Sequence, residues 1–192
     1  YPRGVEPGKA TSRMQDLLYR LRSDEALMLA YQRGNAAAFE RLYRRHKDGL
    51  FAFLYRSCPR RDRVEELAQE TWMGVVKAAP SYEPNARFRT WLYQIARNRL
   101  VDLWRREPPE LHSPVMPEAI AATGNDIFEL QAEQLLRTIG RLPAEQRDSL
   151  LLQQQGFSKR EVAEITGVGE ETVKSRLRYA RKQLRAMLGE EL

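Results

Sequence analysis

Residues 156–185 read GFSKREVAEITGVGEETVKSRLRYARKQLR. Gly156 can supply the left-handed conformation that closes one helix, and Ser158 followed three residues later by Glu161 has the spacing of a capping box that opens the next. Val162, Ala163 and Ile165 give that short helix an apolar face. Thr166, Gly167, Val168 and Gly169 form a tight turn, after which Val173, Leu177, Ala180 and Leu184 recur at the spacing of a longer amphipathic helix. A short helix bracing a longer one across a tight turn is the helix-turn-helix arrangement. Its second helix can present its N-terminal face to a DNA major groove, roughly 12 Å wide.

The charges on that second helix fit the same use. Lys174, Arg176, Arg178, Arg181, Lys182 and Arg185 face only two acids, Glu170 and Glu171. Lys174, Ser175 and Arg176 lie early enough to meet base edges, where a bidentate Arg-to-guanine contact contributes about 1–3 kcal/mol of discrimination. Arg181, Lys182 and Arg185 lie further along, where phosphates run. A basic amphipathic helix also suits a membrane surface, but that role requires neither the turn nor the bracing helix. Glu170 and Glu171 serve either to complement the helix dipole or to accept from cytosine.

The whole chain is consistent with a polyanionic partner: 192 residues carry 32 Lys and Arg against 26 Asp and Glu, a net charge of +6 and a pI near 9.6. The single cysteine, Cys58, cannot form an internal disulfide, so a reducing cytoplasm is the expected location. No arrangement suggests nucleophilic or metal-ion chemistry, and no catalytic residue, metal, cofactor or small-molecule substrate is expected. No apolar run approaches the roughly 20 residues needed to span a bilayer. Residues 1–22 are read as a tail, in which the first 13 residues hold Pro2, Gly4, Pro7 and Gly8, and Met14 is an alternative start.

Upstream of the helix-turn-helix the pattern is all-α as well. Phe39, Leu42, Tyr43, His46, Leu50, Phe53 and Leu54 recur at three- and four-residue steps, a core stripe in which His46 is expected to be a packed neutral ring. Asp62 and Glu65 have capping-box spacing and are expected to open a helix burying Val64, Leu67, Ala68, Thr71 and Val75, which leaves Glu66, Gln69, Glu70 and Met73 off the apolar side. A further helix is expected over 88–106, with Phe88, Trp91, Leu92, Ile95, Ala96 and Leu103 on one face. Pro108, Pro109, Pro114 and Pro117 among acidic residues make 107–127 a flexible linker. The expected organisation is therefore two helical domains, 23–106 and 128–192, with Asp126 and Glu129 at capping-box spacing where the second begins.

Two further segments carry a family resemblance. The segment 66–78, ELAQETWMGVVKA, resembles the part of bacterial sigma factors that docks on the clamp helices of RNA polymerase's largest subunit. The segment 88–98, FRTWLYQIARN, is similar to the part that melts and holds the minus-ten element, and 142–185, above all 173–181, VKSRLRYAR, resembles the domain that reads the minus-thirty-five element. Matching helices cover 24–106 and 128–188 with no room for the extra domain of larger sigma factors, so the chain resembles the small extracytoplasmic-function (ECF) group.

The resemblance implies a promoter-recognition subunit rather than an enzyme. It assigns Glu66, Gln69, Glu70 and Met73 to core polymerase, and Tyr82, Asn85, Arg87, Arg89, Tyr93, Arg97 and Asn98 to the minus-ten strand, where stacking surfaces and cations suit unpaired bases. Phe88 and Trp91 belong to the apolar face. Glu171, Thr172, Lys174, Ser175, Arg176, Arg178, Tyr179, Arg181 and Lys182 are assigned to the minus-thirty-five element. Implied partners are core polymerase, including the flap of its second-largest subunit, promoter DNA, and a cognate anti-sigma factor, often membrane-anchored. By the same resemblance the linker enters the polymerase cleft. Glu171 departs from the family, which commonly has a small residue there, so promoter choice is in question. Two rivals share the helix-turn-helix: a response-regulator or repressor type, and a recombinase. The helical first half lacks the strand-helix alternation of a receiver domain.

Overall fold

The computed structural model describes residues 22–58, 60–106 and 127–190. The tail 1–21 with Met14, and the linker 107–126 with its prolines and Asp126, lie outside the described residues. Eight helices and two 3-10 turns make up the described fold, with no strand among those residues. They are α1 (Asp24–Gln32), α2 (Ala36–Ser57), α3 (Val64–Ala78), α4 (Phe88–Arg106), α5 (Ile127–Gly140), α6 (Ala144–Gln154), α7 (Lys159–Thr166) and α8 (Glu170–Glu190).

In the first half, local chemistry sets the helix ends. Ser23 accepts from the Ala26 N–H at the start of α1, Gly34 turns the chain at φ +95°, and Asn35 accepts from the Ala38 N–H to open α2. The α2 stripe buries Leu42, Leu50, Phe53 and Leu54 completely, while Tyr43 stays 41% exposed at its edge, against Trp72. His46 has a partner that the apolar periodicity did not reveal: its Nε2 lies 2.7 Å from Asp24 Oδ2, with Arg45 donating to Oδ1 of the same carboxylate at 2.8 Å. Burial pushes the Asp24 carboxyl up, but the hydrogen bonds from His46 and Arg45 outweigh it and hold the group below the ordinary carboxylate range.

The expected capping box at Asp62 and Glu65 does not form. Asp62 is held instead by a two-pronged contact from Arg60, at 2.9 and 2.7 Å, within the 3-10 turn Arg61–Arg63, and α3 opens with no side-chain cap. Two bonds from a cationic guanidinium, in a planar fork, outcompete the single bond from a backbone N–H that a cap would give the carboxylate. Helix α3 buries Val64, Leu67, Thr71 and Val75 as expected, and Trp72 with them, while Ala68 is only half-buried. Its close approach to α4 is set at Gly74, where an added Cβ would lie 2.9 Å from Ile95 Cγ2. Helix α4 runs over the expected residues and buries Phe88, Leu92, Ala96 and Leu100.

The second half follows the sequence reading closely. Gly156 and Gly167 adopt φ +86° and +69°, and the capping box of Ser158 and Glu161 is complete in both directions. Val162 and Ile165 from α7 pack with Val173, Leu177 and Ala180 from α8, all buried.

The periodicity gives two helical domains but not their packing together. Helix α4 lies along α7, and α2 lies against α6. Tyr93 meets Phe157 edge-on at 4.8 Å, Gln94 Nε2 donates to the Glu164 carbonyl at 2.8 Å, and Arg147 lies 5.7 Å over the Trp104 ring. At the centre Arg97 Nε lies 3.4 Å from Oδ2 of Asp148, a fully buried carboxylate. Burial, only partly offset by Arg97 and Arg147, pushes the Asp148 carboxyl up to about 6.

A pKa raised on folding contributes stability that is complete below the unfolded value and is lost as pH rises through the folded one. For Asp148 that window runs from its ordinary 3.8 to about 6. Thermal melts from pH 4.5 to pH 7.5 should therefore show a stability decline in the wild type that Asp148→Asn reduces, because the amide keeps the shape and cannot ionise. Parallel curves for the two proteins would rule out this role for Asp148.

Candidate polymerase and nucleic-acid interfaces

Helix α3 separates its faces cleanly. Glu66, Gln69, Glu70 and Met73 are all exposed, Met73 by 54%, on the side opposite the buried stripe. Glu66 pairs with Arg63, and beside this ridge a groove of about 600 Å³ is lined by Phe39, Tyr43, Phe51, Trp72, Met73 and Val76. An acidic rim around exposed aromatic and methionine side chains is suited to another protein's helical surface, with apolar contact for affinity and charge for register.

Helix α8 presents a different chemistry. Its buried residues fix the helix on α7 and α6, and Glu171, Thr172, Lys174, Arg178, Tyr179, Arg181 and Lys182 are exposed, while Ser175 and Arg176 are half-buried. Lys174 Nζ bonds Glu171 at 2.6 Å, and this bond first, with the charge of Lys174 next, holds the Glu171 carboxyl below its ordinary range. Glu171 thus partly neutralises the charge of Lys174. Arg181 donates to Gln153 on α6 at 2.7 Å, Arg178 lies over the Tyr179 ring, and Arg176 Nη1 is enclosed with no hydrogen-bond partner among the described residues.

The third group is split by the fold. Asn85, Arg87 and Asn98 are exposed, with Asn85 bonded to Glu83 at 3.1 Å and Arg87 3.3 Å from Glu161. Tyr82 and Tyr93 are buried. Tyr82 packs on Trp91 at 4.9 Å, and burial, with Glu25 and Asp24 nearby, raises its hydroxyl to about 12. Arg89 donates to the Gln155 carbonyl and lies 4.2 Å over the Phe157 ring, while Arg97 is engaged with Asp148.

Comparison with known proteins accounts for this combination. The model of Sigma-70 region 2 matches residues 42–108, and that of Sigma-70 region 4 matches 132–184. Among curated relatives, the ECF RNA polymerase sigma factor SigM of Mycobacterium tuberculosis is 30% identical over 88% of this chain and 86% of its own length. The chain belongs to the ECF sigma factors. The ECF RNA polymerase sigma factor RpoE of Cereibacter sphaeroides is 35% identical over 78% of this sigma factor and 85% of its own length. The sigma factor RpoE of Bartonella quintana, solved in complex with the anti-sigma factor NepR, superposes with TM-score 0.67 at 25% identity, over 79% of this chain and 96% of that one. CnrH, solved with the cytosolic domain of CnrY, shares the fold with TM-score 0.70 at 24% identity over 89% of this chain and all of that one.

Some residues that shape this sigma factor's interfaces left no mark in the sequence pattern. Gln32 Nε2 lies 2.9 to 3.1 Å from the carbonyl oxygens of Ala79, Pro80 and Tyr82, and the Glu25 carboxylate accepts from the Phe88 N–H at 2.9 Å. Together they anchor the loop that carries Asn85 and Arg87. Both contacts span at least 47 residues, so no local spacing signals them. Among the described residues no helix is long and apolar enough to cross a membrane.

Proposed function

We propose that this ECF sigma factor docks on the clamp helices of core RNA polymerase through Glu66, Gln69, Glu70 and Met73, reads a minus-thirty-five element with the N-terminal half of α8, and holds an unpaired minus-ten strand on α4 and the preceding loop. The observation that carries the reading is the division of surfaces: an acidic ridge beside an apolar groove on α3, and clustered cations on α8 braced for a groove. Two modest DNA contacts joined on one polymerase act at high effective concentration, so together they specify a site that neither holds alone. Captured bases offset an unpairing cost of a few kcal/mol, and polymerase performs the chemistry.

The same reading includes contact with the flap of the second-largest subunit, passage of the linker through the polymerase cleft, cytoplasmic action, and control by an anti-sigma factor, with membrane anchoring as one form of that partner. Support for the last comes from a similar sigma factor having been solved with NepR. Run-off transcription with purified core polymerase on a genomic fragment library tests the reading directly. Discrete promoter-initiated products are expected, and their absence would exclude the sigma role. Within that assay Arg176→Ala is expected to weaken binding to the recognised promoter by about 1–3 kcal/mol more than binding to random DNA. Equal losses on both sequences would reassign Arg176 to phosphate contact.

A further inference from the structure

One carboxylate stands at the head of a row of cations on α8. Glu171, Lys174, Arg178 and Arg185 recur at helical spacing on the side opposite the buried Val173, Leu177 and Ala180, and all four are exposed. Lys174 Nζ donates to Glu171 Oε1 at 2.6 Å, and the Glu171 side chain is 86% exposed. Glu161 on α7 reaches back to a backbone N–H, that of Ser158, at 2.8 Å. Glu171 instead reaches forward to Lys174, one turn along the same exposed side.

The chemistry of the groove limits what such a carboxylate can meet. The cations of the row suit phosphates as well as bases, whereas phosphates repel an acid. The bond from Lys174, then its charge, and the charge of Lys159 keep Glu171 ionised at neutral pH. An ionised carboxylate only accepts hydrogen bonds, and the donors on the major-groove edge are cytosine N4 and adenine N6.

We propose that Glu171 and Lys174 act together as the reader of one C·G base pair in the minus-thirty-five element, Glu171 accepting from cytosine N4 and Lys174 donating to guanine O6 and N7. The inference rests on the assignment of α8 to that element, and it goes beyond that assignment by naming the base pair and the two side chains that select it.

The spacing of the pair fits this use. Cytosine N4 and guanine O6 are hydrogen-bonded to each other, so the edge of a C·G pair carries a donor and an acceptor about 2.9 Å apart. An acceptor and a donor at 2.6 Å on the helix match them side by side. An A·T pair offers the same order through adenine N6 and thymine O4, but thymine presents a methyl group where guanine adds the N7 acceptor. The reversed pairs, G·C and T·A, set acceptor against acceptor at Glu171. The expected order is therefore C, then A, with G and T last.

Holoenzymes assembled from core polymerase and wild type, Glu171→Ala, Glu171→Gln or Lys174→Ala would select open complexes from a promoter library randomised upstream of the minus-ten element, and the selected templates would be sequenced. Wild type is expected to favour C over G or T at one position by about tenfold, the equivalent of about 1.4 kcal/mol. Glu171→Ala and Lys174→Ala should flatten the preference at that position and keep it at the others. Glu171→Gln should move it toward A, whose N6 and N7 an amide meets together.

Retention of the C preference by Glu171→Ala would overturn the proposal. So would an equal loss at every position, because a purely helix-stabilising Glu171 acts on all contacts of α8 at once. Should Glu171→Ala fail to fold by circular dichroism, the isosteric Glu171→Gln decides, and an unchanged C preference there sinks the idea. Two further outcomes reach the levels beneath. Wild-type open complexes with no upstream base preference would remove the assignment of α8, and the absence of open complexes would remove the sigma role itself.

Discussion

Replacing Glu66 and Glu70 together by lysine is expected to abolish association with core RNA polymerase and promoter-specific transcription, while leaving the helical content and melting of the chain unchanged. Both side chains are exposed on α3, so neither supports the core. Among the described residues Glu66 pairs with the neighbouring Arg63, an exposed contact whose loss costs little. Lysines there would set like charges against a cationic partner surface, at a cost of several kcal/mol, which is a loss of about 100-fold or more in affinity. Co-purification with core enzyme at low salt is the measurement, with circular dichroism as the folding control. Undiminished recovery with core would show that the ridge on α3 is not the docking surface.

Ile165→Ala should produce an effect of comparable size by a different route. Ile165 is 2% exposed on α7, at the junction where that short helix braces α8. Truncating such a side chain costs about 2–5 kcal/mol through lost burial and the cavity left behind, which corresponds to a melting temperature lower by roughly 5–15 °C. The consequence should fall unevenly on function. Transcription from promoters that depend on the minus-thirty-five element should collapse, whereas association with core polymerase through α3 should persist. A variant that melted with wild-type behaviour and kept full promoter activity would mean that the brace between α7 and α8 is dispensable.

The two charge clusters, on α3 and α8, differ from the cations of α4 in what holds them. On α3 and α8 most functional candidates are exposed, and their partners, where present, lie mainly within a few residues, as with Glu66 and Arg63 or Lys174 and Glu171. On α4, Arg89 and Arg97 are engaged by groups from the other half of the chain. The first kind of side chain is ready for a partner. On the proposed reading the second exchanges its present contacts for those of a strand, so that recognition by α4 is coupled to conformation.

The amino-acid order alone determined that the chain is all-α, where the helix-turn-helix starts and stops, and which face of α3 and α8 stays exposed. Those properties are local: the capping box of Ser158 and Glu161, the left-handed glycines at 156 and 167, and apolar spacing near 3.6 all act over one or two turns. Asp62 and Glu65 show the limit of such reasoning, since equally good spacing lost to a nearby arginine. Only the tertiary structure decided that His46 meets Asp24, that Gln32 and Glu25 anchor the loop before α4, and that Asp148, Phe157 and Gln155 cover Arg97, Tyr93 and Arg89. Those contacts join residues 22 to 66 positions apart, a separation at which spacing carries no signal and only the packing of whole helices brings side chains together.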